Sequence, residues 1–119
     1  MRWSEITICQ PALAAVMHEA LIKPGVLLVG TTRRDGSPRI SGVEPLVMDG
    51  ELWLSMMRSS TKARDLYRDP RILLNSIITG PEAGPPEIKV RGTVRIESQR
   101  AVLERYAATV AAETGGNRW

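Results

Sequence analysis

The sequence predicts a mainly β protein, an antiparallel β-barrel with peripheral helices. Three segments, at 26–32, 38–47 and 51–57, are rich in β-branched residues or alternate apolar with polar ones, as strands do. Asp35-Gly36 and Asp49-Gly50 lie between them, and both dipeptides favour tight hairpin turns. Because no helical segment separates these strands, we expect an antiparallel meander rather than a doubly wound parallel sheet.

Two further strands follow later in the chain. The segment 71–78 begins with an apolar run, and 88–97 alternates apolar with polar residues throughout, which predicts a half-buried strand. Pro45 lies inside the second strand, so that stretch is expected at a sheet edge, a bulge or a bend. Apolar residues at helical spacing predict helices at 11–23, 60–68 and 99–112.

The ends of these helices are predicted from residues that stop or cap them. Pro24-Gly25 stops the first helix, and Asp69-Pro70 ends the second. Ser98 is expected to cap the third helix, which ends at Gly115-Gly116. The segment 80–86, rich in Pro and Gly, predicts a rigid loop between the last two strands.

Each predicted helix carries an apolar stripe that we expect to face the core. In the first helix the stripe consists of Leu13, Val16, Met17, Ala20 and Leu21. In the second it consists of Leu66 and Tyr67, and in the last of Leu103, Tyr106, Ala107 and Val110. In the third strand, Trp53 points to the opposite face from Leu52 and Leu54, where it packs in the core, at an interface or against a ligand ring.

Size and composition restrict the classes of protein to consider. A chain of 119 residues with 43% hydrophobic residues fits a single domain, residues 1–119. No apolar run approaches the ~18 residues of a membrane helix, and the acidic start does not resemble a signal peptide. A net charge of +3 with 4% aromatic residues does not indicate nucleic-acid binding. The sequence has one cysteine, Cys9, and one histidine, His18, so neither an intramolecular disulfide nor a zinc site is expected. A cytoplasmic location fits best.

The first candidate site is the segment RSSTKAR, which leads from the third strand into a helix. A helix start has unpaired N–H groups that attract an anion. Ser60 and Thr61 add hydroxyl donors, and Lys62 adds a positive charge. Arg58 or Arg64 can add a planar guanidinium. The same residues would also fit a capped surface helix with solvated basic side chains.

A second candidate site is the strand segment 37–43. Gly42 would let a ligand approach the backbone closely, and the extended chain offers N–H and C=O groups to a heterocycle. An ordinary strand with a structural glycine has the same composition. No pair of residues suggests general acid or base catalysis, so we assign no catalytic side chain and no metal ligand.

Five segments carry a resemblance to a known family. They are VLLVGTT, RDGSPRISGV, DGELWLSM, SSTKARDLYRDPRILL and EIKVRGTVRIE. In this order they resemble the pyridoxamine 5′-phosphate oxidase-like FMN-binding split barrels over about residues 11–112, nearest to the flavin/deazaflavin oxidoreductase branch. The resemblance implies a split β-barrel of the FMN-binding type and a homodimer with the cofactor at the subunit interface. It also implies an oxidoreductase that transfers hydride or electrons to a small-molecule substrate.

The resemblance further implies which residues bind the cofactor. The phosphate would be held by Ser60, Thr61 and Lys62, in the segment that also offers Arg58. The ring would be lined by Arg39, which also reaches the phosphate, and by Ile40, Ser41 and Gly42. It would be flanked by Ser55 and Met56. Near the pyrimidine edge of the ring would lie Glu87 and Lys89.

Two features depart from the pyridoxamine-phosphate oxidases themselves. Where those enzymes have a basic residue that contacts the substrate phosphate, this sequence has Glu44, whose charge would repel a phosphate. The C-terminal substrate-binding segment of those oxidases is also missing, and so is the further barrel strand that relatives carry after the last helix. The vitamin B6 reaction is therefore not expected, and we expect the barrel to be truncated or to be completed in another way.

FMN is the expected cofactor, and the deazaflavin F420 is the alternative. F420 carries an acidic tail that surplus arginines could attract, namely Arg33, Arg34, Arg58, Arg64 and Arg68. A non-enzymatic carrier or a haem-binding relative is a further alternative, although His18 is poorly placed as an axial ligand. A nucleic-acid-binding barrel is the last, and its binding would weaken steeply with salt.

Overall fold

The computed structural model describes residues 1–78 and 84–114. Five strands form one curled sheet: β1 (Leu27–Thr32), β2 (Pro38–Met48), β3 (Glu51–Ser55), β4 (Arg71–Asn75) and β5 (Lys89–Thr93). Their order across the sheet is β3-β2-β1-β4-β5, and every neighbouring pair is antiparallel. The predicted fold class, a mainly β split-barrel sheet with peripheral helices, is confirmed.

Four α-helices accompany the sheet: α1 (Trp3–Cys9), α2 (Pro11–Met17), α3 (Thr61–Arg68) and α4 (Arg100–Thr114). A π-helical segment, His18–Ile22, continues α2, so the helix predicted at 11–23 forms with a change of winding. The sequence did not predict α1, which is only 7 residues long and packs against the core through Trp3 and Ile6. None of the described helices is long and apolar enough to cross a bilayer.

The two predicted hairpin turns are present. At Asp49 and Gly50 the φ angles are 55° and 71°, so both central residues of the β2–β3 turn are left-handed. This is the conformation of a type I′ turn, whose twist matches that of the strands it joins. Gly36, with a φ of 87°, takes a left-handed position in the β1–β2 loop. These turns set the register of the meander.

Replacing Gly50 with alanine is expected to lower the free energy of unfolding by roughly 1–2 kcal/mol, the cost of a Cβ on a left-handed residue. The added Cβ would also lie 3.1 Å from the Cβ of Ser4, whose N–H donates to the Gly50 carbonyl oxygen. Urea denaturation measures the change. Gly92→Ala is the matched control, because its φ is not positive and no neighbouring atom lies within 4 Å of the added Cβ. Equal losses in the two variants would contradict the argument.

Pro45 lies where β2 has a single neighbouring strand among the described residues. The register with β1 ends at Val43, and the pairing with β3 begins at Glu44 and continues to Met48. Because proline lacks an N–H, it fits a strand that has no partner on one side. The expected edge position of Pro45 is therefore confirmed, within a strand of 11 residues.

Three predicted strands are shorter in the structure. The strands predicted at 51–57, 71–78 and 88–97 form only over Glu51–Ser55, Arg71–Asn75 and Lys89–Thr93. The prediction for β5 was wrong by the most, because the apolar alternation continues past the end of its partner strand. β4 begins at Arg71, opposite Thr93, and the pairing closes with a bond of 2.9 Å from Val94 N to Pro70 O. Ile96 is consequently 47% exposed.

A carboxylate lies just before the start of α4. Glu97 accepts the N–H groups of Ser98 and Gln99, at 3.1 and 3.3 Å, and the helix begins at Arg100. Glutamate reaches these donors from just before the helix and places a negative charge at its positive end. The helix end predicted at Gly115-Gly116 and most of the loop predicted at 80–86 lie outside the described residues.

The larger core cluster lies on the inner face of the sheet. Its buried members are Met17, Leu21, Leu27, Val29, Val43, Leu66, Ile72 and Leu74. A second cluster lies on the opposite, outer face, where α4 packs on β2, and it consists of Leu46, Met48 and Val110 with Trp53 and Tyr106. Leu52 and Leu54 pack against the larger cluster, so Trp53 faces away from them, as the alternation predicts.

The predicted apolar stripes of the helices are only partly buried. The members packed against the sheet are Met17, Ala20, Leu21, Leu66, Tyr106 and Val110. The stripe predictions were wrong for five members, which are exposed. They are Leu13, Val16, Tyr67, Leu103 and Ala107. In α4, Tyr106 and Val110 are four residues apart on one side of the helix, and both pack against the sheet. The surface of α4 that contacts the sheet is therefore narrower than the apolar stripe predicted from the sequence.

Candidate functional site

The two faces of β2 carry different side chains, because successive residues of a strand point to opposite sides. The side chains on the inner face, opposite the buried residues of β1, are Arg39, Ser41 and Val43. Those on the outer face are Ile40, Gly42 and Glu44. A group that binds along the outer face can therefore meet the side chains of the second set, but only backbone atoms of the first.

A cleft of about 330 Å³ opens between β2, the end of β3 and the first turn of α3. Its lining consists of Val26, Gly42, Val43, Glu44, Ser55, Met56, Met57 and Lys62. Several of the site residues implied by the resemblance meet here from separate elements, namely Gly42, Ser55, Met56 and Lys62. The fold thus brings the two candidate segments of the sequence together.

The start of α3 forms the basic end of the cleft. Ser60 precedes the helix in an extended conformation, and its Oγ accepts the N–H of Ala63 at 3.3 Å. Lys62, in the first turn, makes no salt bridge within residues 1–78 and 84–114, so its ammonium is available to an anion. Arg58 and Thr61 are exposed beside this turn and do not line the cleft.

Gly42 leaves one wall of the cleft without a side chain. A Cβ added at this position would meet only Val26 Cγ2, at 3.6 Å, which is an ordinary van der Waals contact. A planar group can therefore lie directly against the backbone of β2 at this point. Ile40 lies two residues earlier on the same face and is 73% exposed, which adds an apolar surface beside the glycine.

Helix α4 supports the opposite wall of the cleft. The hydroxyl of Tyr106 makes a short hydrogen bond with the hydroxyl of Ser55. The ring centroid of Tyr106 lies 5.6 Å from that of Trp53, whose Nε1 donates to Met48 O at 2.9 Å. These contacts fix the Ser55 hydroxyl where β3 reaches the cleft.

The guanidinium of Arg39 is not part of the cleft. It lies on the inner side, where Nε donates to Oδ2 of Asp65 at 2.7 Å, and the side chain of Asp65 is only 4% exposed. The Thr31 hydroxyl donates to the same oxygen at 2.8 Å, and Arg68 donates to Oδ1 at 3.2 Å. The structure therefore joins Arg39 to the buried side of α3 and does not bring it together with Lys62.

Asp65 is an important residue that the sequence analysis did not identify. Burial by itself raises the pKa of this carboxyl, but the hydrogen bonds from two guanidinium groups and a hydroxyl outweigh it and hold the pKa below its usual value. The charged carboxylate fastens α3 to β1 and β2. Because Lys62 lies on the same helix, Asp65 also sets its position relative to Gly42. The signal in the sequence was an aspartate beside Leu66, on the apolar side of the helix.

Glu87 and Lys89 lie farther along the sheet. Gly42 pairs with Leu28, Leu28 with Asn75 and Asn75 with Lys89, so these residues form one row across the outer face. At about 4.8 Å per strand, Lys89 lies roughly 14 Å from Gly42. Its ammonium bonds to Asn75 Oδ1 and to Glu87, and the bond to Glu87 lowers the pKa of that carboxyl. The pair shares the face of the cleft but does not line it.

In the described part of the chain, no group of three or more His, Cys, Asp or Glu side chains could hold a metal ion. His18 is exposed at the start of the π-helical segment and does not line the cleft. Cys9 is an exposed free thiol at the end of α1. The groups able to bind a ligand at the cleft are therefore the start of α3 and the outer face of β2.

The family model for pyridoxamine 5′-phosphate oxidase matches residues 13–118. The chain belongs to this family. Membership confirms the resemblance drawn from the five sequence segments, and it covers every strand described above. No curated protein matches the sequence.

Solved structures share the family fold. A conserved hypothetical protein of Mycobacterium tuberculosis has a TM-score of 0.69 at 24% identity, over 90% of this chain and 64% of its own length. The haem storage protein HutZ of Vibrio cholerae has a TM-score of 0.68 at 16% identity, over 97% of this chain and 78% of its own. An F420 reductase has a TM-score of 0.64 at 21% identity, over 86% and 79%. At these identities the likeness concerns the fold alone.

Proposed function

We propose that this protein is a flavin-type oxidoreductase that binds FMN in the cleft between β2, β3 and α3. The observation that carries the proposal is the meeting of Lys62, Gly42 and Ser55 around one cleft. A basic helix start, a bare strand and a hydroxyl are what a phosphorylated ring compound needs. Membership of a family named for an oxidase, and the fold shared with an F420 reductase, support a redox role.

The phosphate of the cofactor would bind at the start of α3. Lys62 supplies an ammonium without a carboxylate partner in the described residues, and the first turn supplies N–H groups at the positive end of the helix. The hydroxyl of Thr61 lies beside them. The Ser60 oxygen already accepts the N–H of Ala63, so its own hydrogen remains available for a phosphate oxygen.

The ring would lie along the outer face of β2. Gly42 allows it to contact the backbone, and Ile40 offers an apolar surface next to it. Ser55 and Met56 would flank the ring from the end of β3. FMN supplies hydride and electron transfer when it is bound, and the chain's own residues hold and orient it and exclude water.

Glu44 restricts the substrate that such a site would accept. It lines the same cleft as Lys62, at the position where the resemblance to the pyridoxamine-phosphate oxidases leads one to expect a basic residue. A phosphorylated substrate would be repelled there. We therefore propose a redox reaction on a small molecule without a phosphate near Glu44, and not the oxidation of pyridoxamine phosphate.

We also propose a cytoplasmic homodimer with the cofactor at the subunit interface. α4 covers the outer face of the sheet at the β2–β3 end, but Ile40 and Leu73 remain 73% and 39% exposed on that face. A second copy of the chain would cover them together with the open side of the cleft. Size-exclusion chromatography with light scattering tests this, and a monomer at all concentrations would contradict it. The single, free Cys9 fits a reducing compartment.

Lys62→Ala is expected to weaken FMN binding by roughly 1.5–3 kcal/mol, the contribution of a charged hydrogen bond. Titration followed by flavin fluorescence measures the affinity. Lys23→Ala is the matched control. Lys23 is an exposed lysine whose ammonium lies 3.2 Å from a carboxylate oxygen of Glu19, four residues earlier in the chain. Unchanged affinity in Lys62→Ala, or an equal loss in both variants, would remove the phosphate site from the start of α3.

F420 is the second candidate cofactor, because an F420 reductase shares the fold. In addition, Arg64 on α3 and Arg34 in the β1–β2 loop form no salt bridge among the described residues. A parallel titration with F420 decides between the two ring compounds. Haem is not favoured, although a haem storage protein shares the fold. A histidine-ligated haem would need His18, the single histidine of the chain, and His18 does not line the cleft.

A further inference from the structure

A second concavity lies beside α3, away from the cleft. Its volume is about 490 Å³, and it is lined by Arg34, Arg64, Tyr67 and Arg68. It shares no lining residue with the cleft that contains Lys62. Arg64 follows Lys62 by two positions, which turns it about 200° around the helix. The two sites therefore lie on different sides of α3.

The residues around this second concavity are held by contacts of the fold. The β1–β2 loop that carries Arg34 is closed by bonds from Arg33 N to Ser37 O at 2.8 Å and from Gly36 N to Arg33 O at 2.9 Å. Arg68 donates to the Thr32 carbonyl oxygen at 3.0 Å, which joins α3 to the strand end that leads into the loop. A ligand would thus meet a preformed loop backbone and Arg68, while the exposed side chains of Arg34, Arg64 and Tyr67 would be ordered on binding.

Of the three arginines at this concavity, only Arg68 pairs with a carboxylate of the described residues. Arg34 and Arg64 form no salt bridge within the described ranges 1–78 and 84–114. Of the neighbouring carboxylates, Asp69 pairs with Arg71 at 2.7 Å, and the buried Asp65 pairs with Arg39 and Arg68. Asp35 accepts two bonds from Ser37, which is neutral, so the charge of this carboxylate remains in the loop that carries Arg34. Arg34 and Arg64 therefore line the concavity without a salt-bridge partner in the described protein.

An aromatic ring completes the concavity. Tyr67 is 50% exposed, although its position on α3 made it a predicted core residue. Guanidinium groups bind phosphate oxygens through forked hydrogen bonds, and an exposed aromatic ring stacks with a planar base. We propose that this concavity binds a nucleoside diphosphate, with the phosphates between Arg34 and Arg64 and the base on Tyr67. The proposal depends neither on the FMN assignment nor on a redox activity.

Isothermal titration of the full chain at low ionic strength tests the proposal, with ADP, pyrophosphate, adenosine and tri-glutamate as separate probes. ADP should bind about tenfold or more tightly than pyrophosphate, the scale of one base stacked on an aromatic ring. Arg34→Ala and Arg64→Ala should each weaken ADP binding by about tenfold or more. Tyr67→Ala should remove the advantage of ADP over pyrophosphate, and Tyr67→Phe should keep it. The three altered side chains are exposed, so the variants are expected to fold, which circular dichroism checks.

Lys62→Ala is the matched control, because Lys62 lies on the same helix but lines the other cleft. It should leave the affinity for ADP unchanged, while the two arginine variants should leave the affinity for FMN unchanged. The proposal is overturned if ADP does not bind, or binds no tighter than pyrophosphate or tri-glutamate, because the site would then recognise charge alone. It is also overturned if Lys62→Ala weakens ADP binding as much as Arg34→Ala, because ADP would then occupy the cleft.

Discussion

Replacing Asp65 with alanine is expected to lower the free energy of unfolding by about 3 kcal/mol, the lower end of the range for removing one partner of a buried ion pair. The substitution leaves Thr31 and Arg39 without the acceptor that they share. The lower end applies because the side chains of Arg39 and Arg68 are 25% and 35% exposed, so water can solvate both guanidinium groups. Urea denaturation monitored by tryptophan fluorescence measures the change.

Glu104→Ala is the matched control for this prediction. Glu104 also accepts from an arginine, Arg100 at 3.2 Å, but the two side chains are 69% and 93% exposed. An exposed pair of this kind contributes about 0.3–0.5 kcal/mol, so the control should hardly change stability. If the two variants lost similar amounts, the carboxylate of Asp65 would not hold α3 against the sheet in the way described.

The pH dependence of Asp65→Ala provides a second readout. The pKa of Asp65 in the folded protein lies below its ordinary value of 3.8, so the carboxylate stabilises the fold above about that pH. This stabilisation is lost as the pH falls through the folded-state pKa. The stability difference between the wild type and the variant should therefore be constant from about pH 7 to about pH 5 and shrink toward about pH 3. A difference that grew on acidification would mean that the pKa is raised.

The turns and the cap of α3 could be predicted because their chemistry is local. Asp49 and Gly50 provide the two left-handed residues of the β2–β3 turn, and Ser60 caps α3 through a bond to the residue three positions later. A two-residue turn fixes the register of the strands that it joins, so the pairing of β2 with β3 follows from the turn. The meander and the basic helix start were therefore accessible from the sequence.

The length of β5 and the role of Asp65 depend on distant partners. Alternation continues in the sequence past Thr93, and nothing local indicates where β4 begins opposite it. The donors Thr31 and Arg39 are 34 and 26 residues away from Asp65 in the chain. A carboxylate that will be buried among such donors has the same local sequence as a solvated one. These features are set by tertiary packing, which local propensity does not report.

The sequence identified two segments that meet at one cleft, but it did not identify which side chains of β2 face that cleft. The resemblance implies that Arg39-Ile40-Ser41-Gly42 lines the ring as one segment, although alternate side chains of a strand face opposite sides. The burial of Val43 assigns the odd-numbered positions to the inner face. The strand periodicity alone would have directed the side chains of Ile40 and Gly42, and not those of Arg39 and Ser41, toward a ligand on the outer face.

Gly42→Leu is expected to weaken FMN binding by about 100-fold, which corresponds to roughly 2.8 kcal/mol. The new side chain would occupy the wall of the cleft against which we place the ring. The fold should remain intact, because the nearest atom to the added Cβ is Val26 Cγ2 at 3.6 Å. Stability should even rise slightly, since a glycine weakens the interior of a strand. Fluorescence titration measures the affinity, and urea denaturation measures the stability.

Gly92→Leu provides the same substitution on β5, outside the cleft, and should leave the affinity for FMN unchanged. Comparison with Lys62→Ala then separates the two halves of the site. If Lys62→Ala weakens binding but Gly42→Leu does not, the phosphate lies at the start of α3 and the ring does not lie on β2. If Gly42→Leu alone weakens binding, the ring is placed correctly and the anion site lies elsewhere. One ligand is placed across β2 and α3 only if Lys62→Ala and Gly42→Leu both weaken FMN binding while the two control variants leave the affinity unchanged.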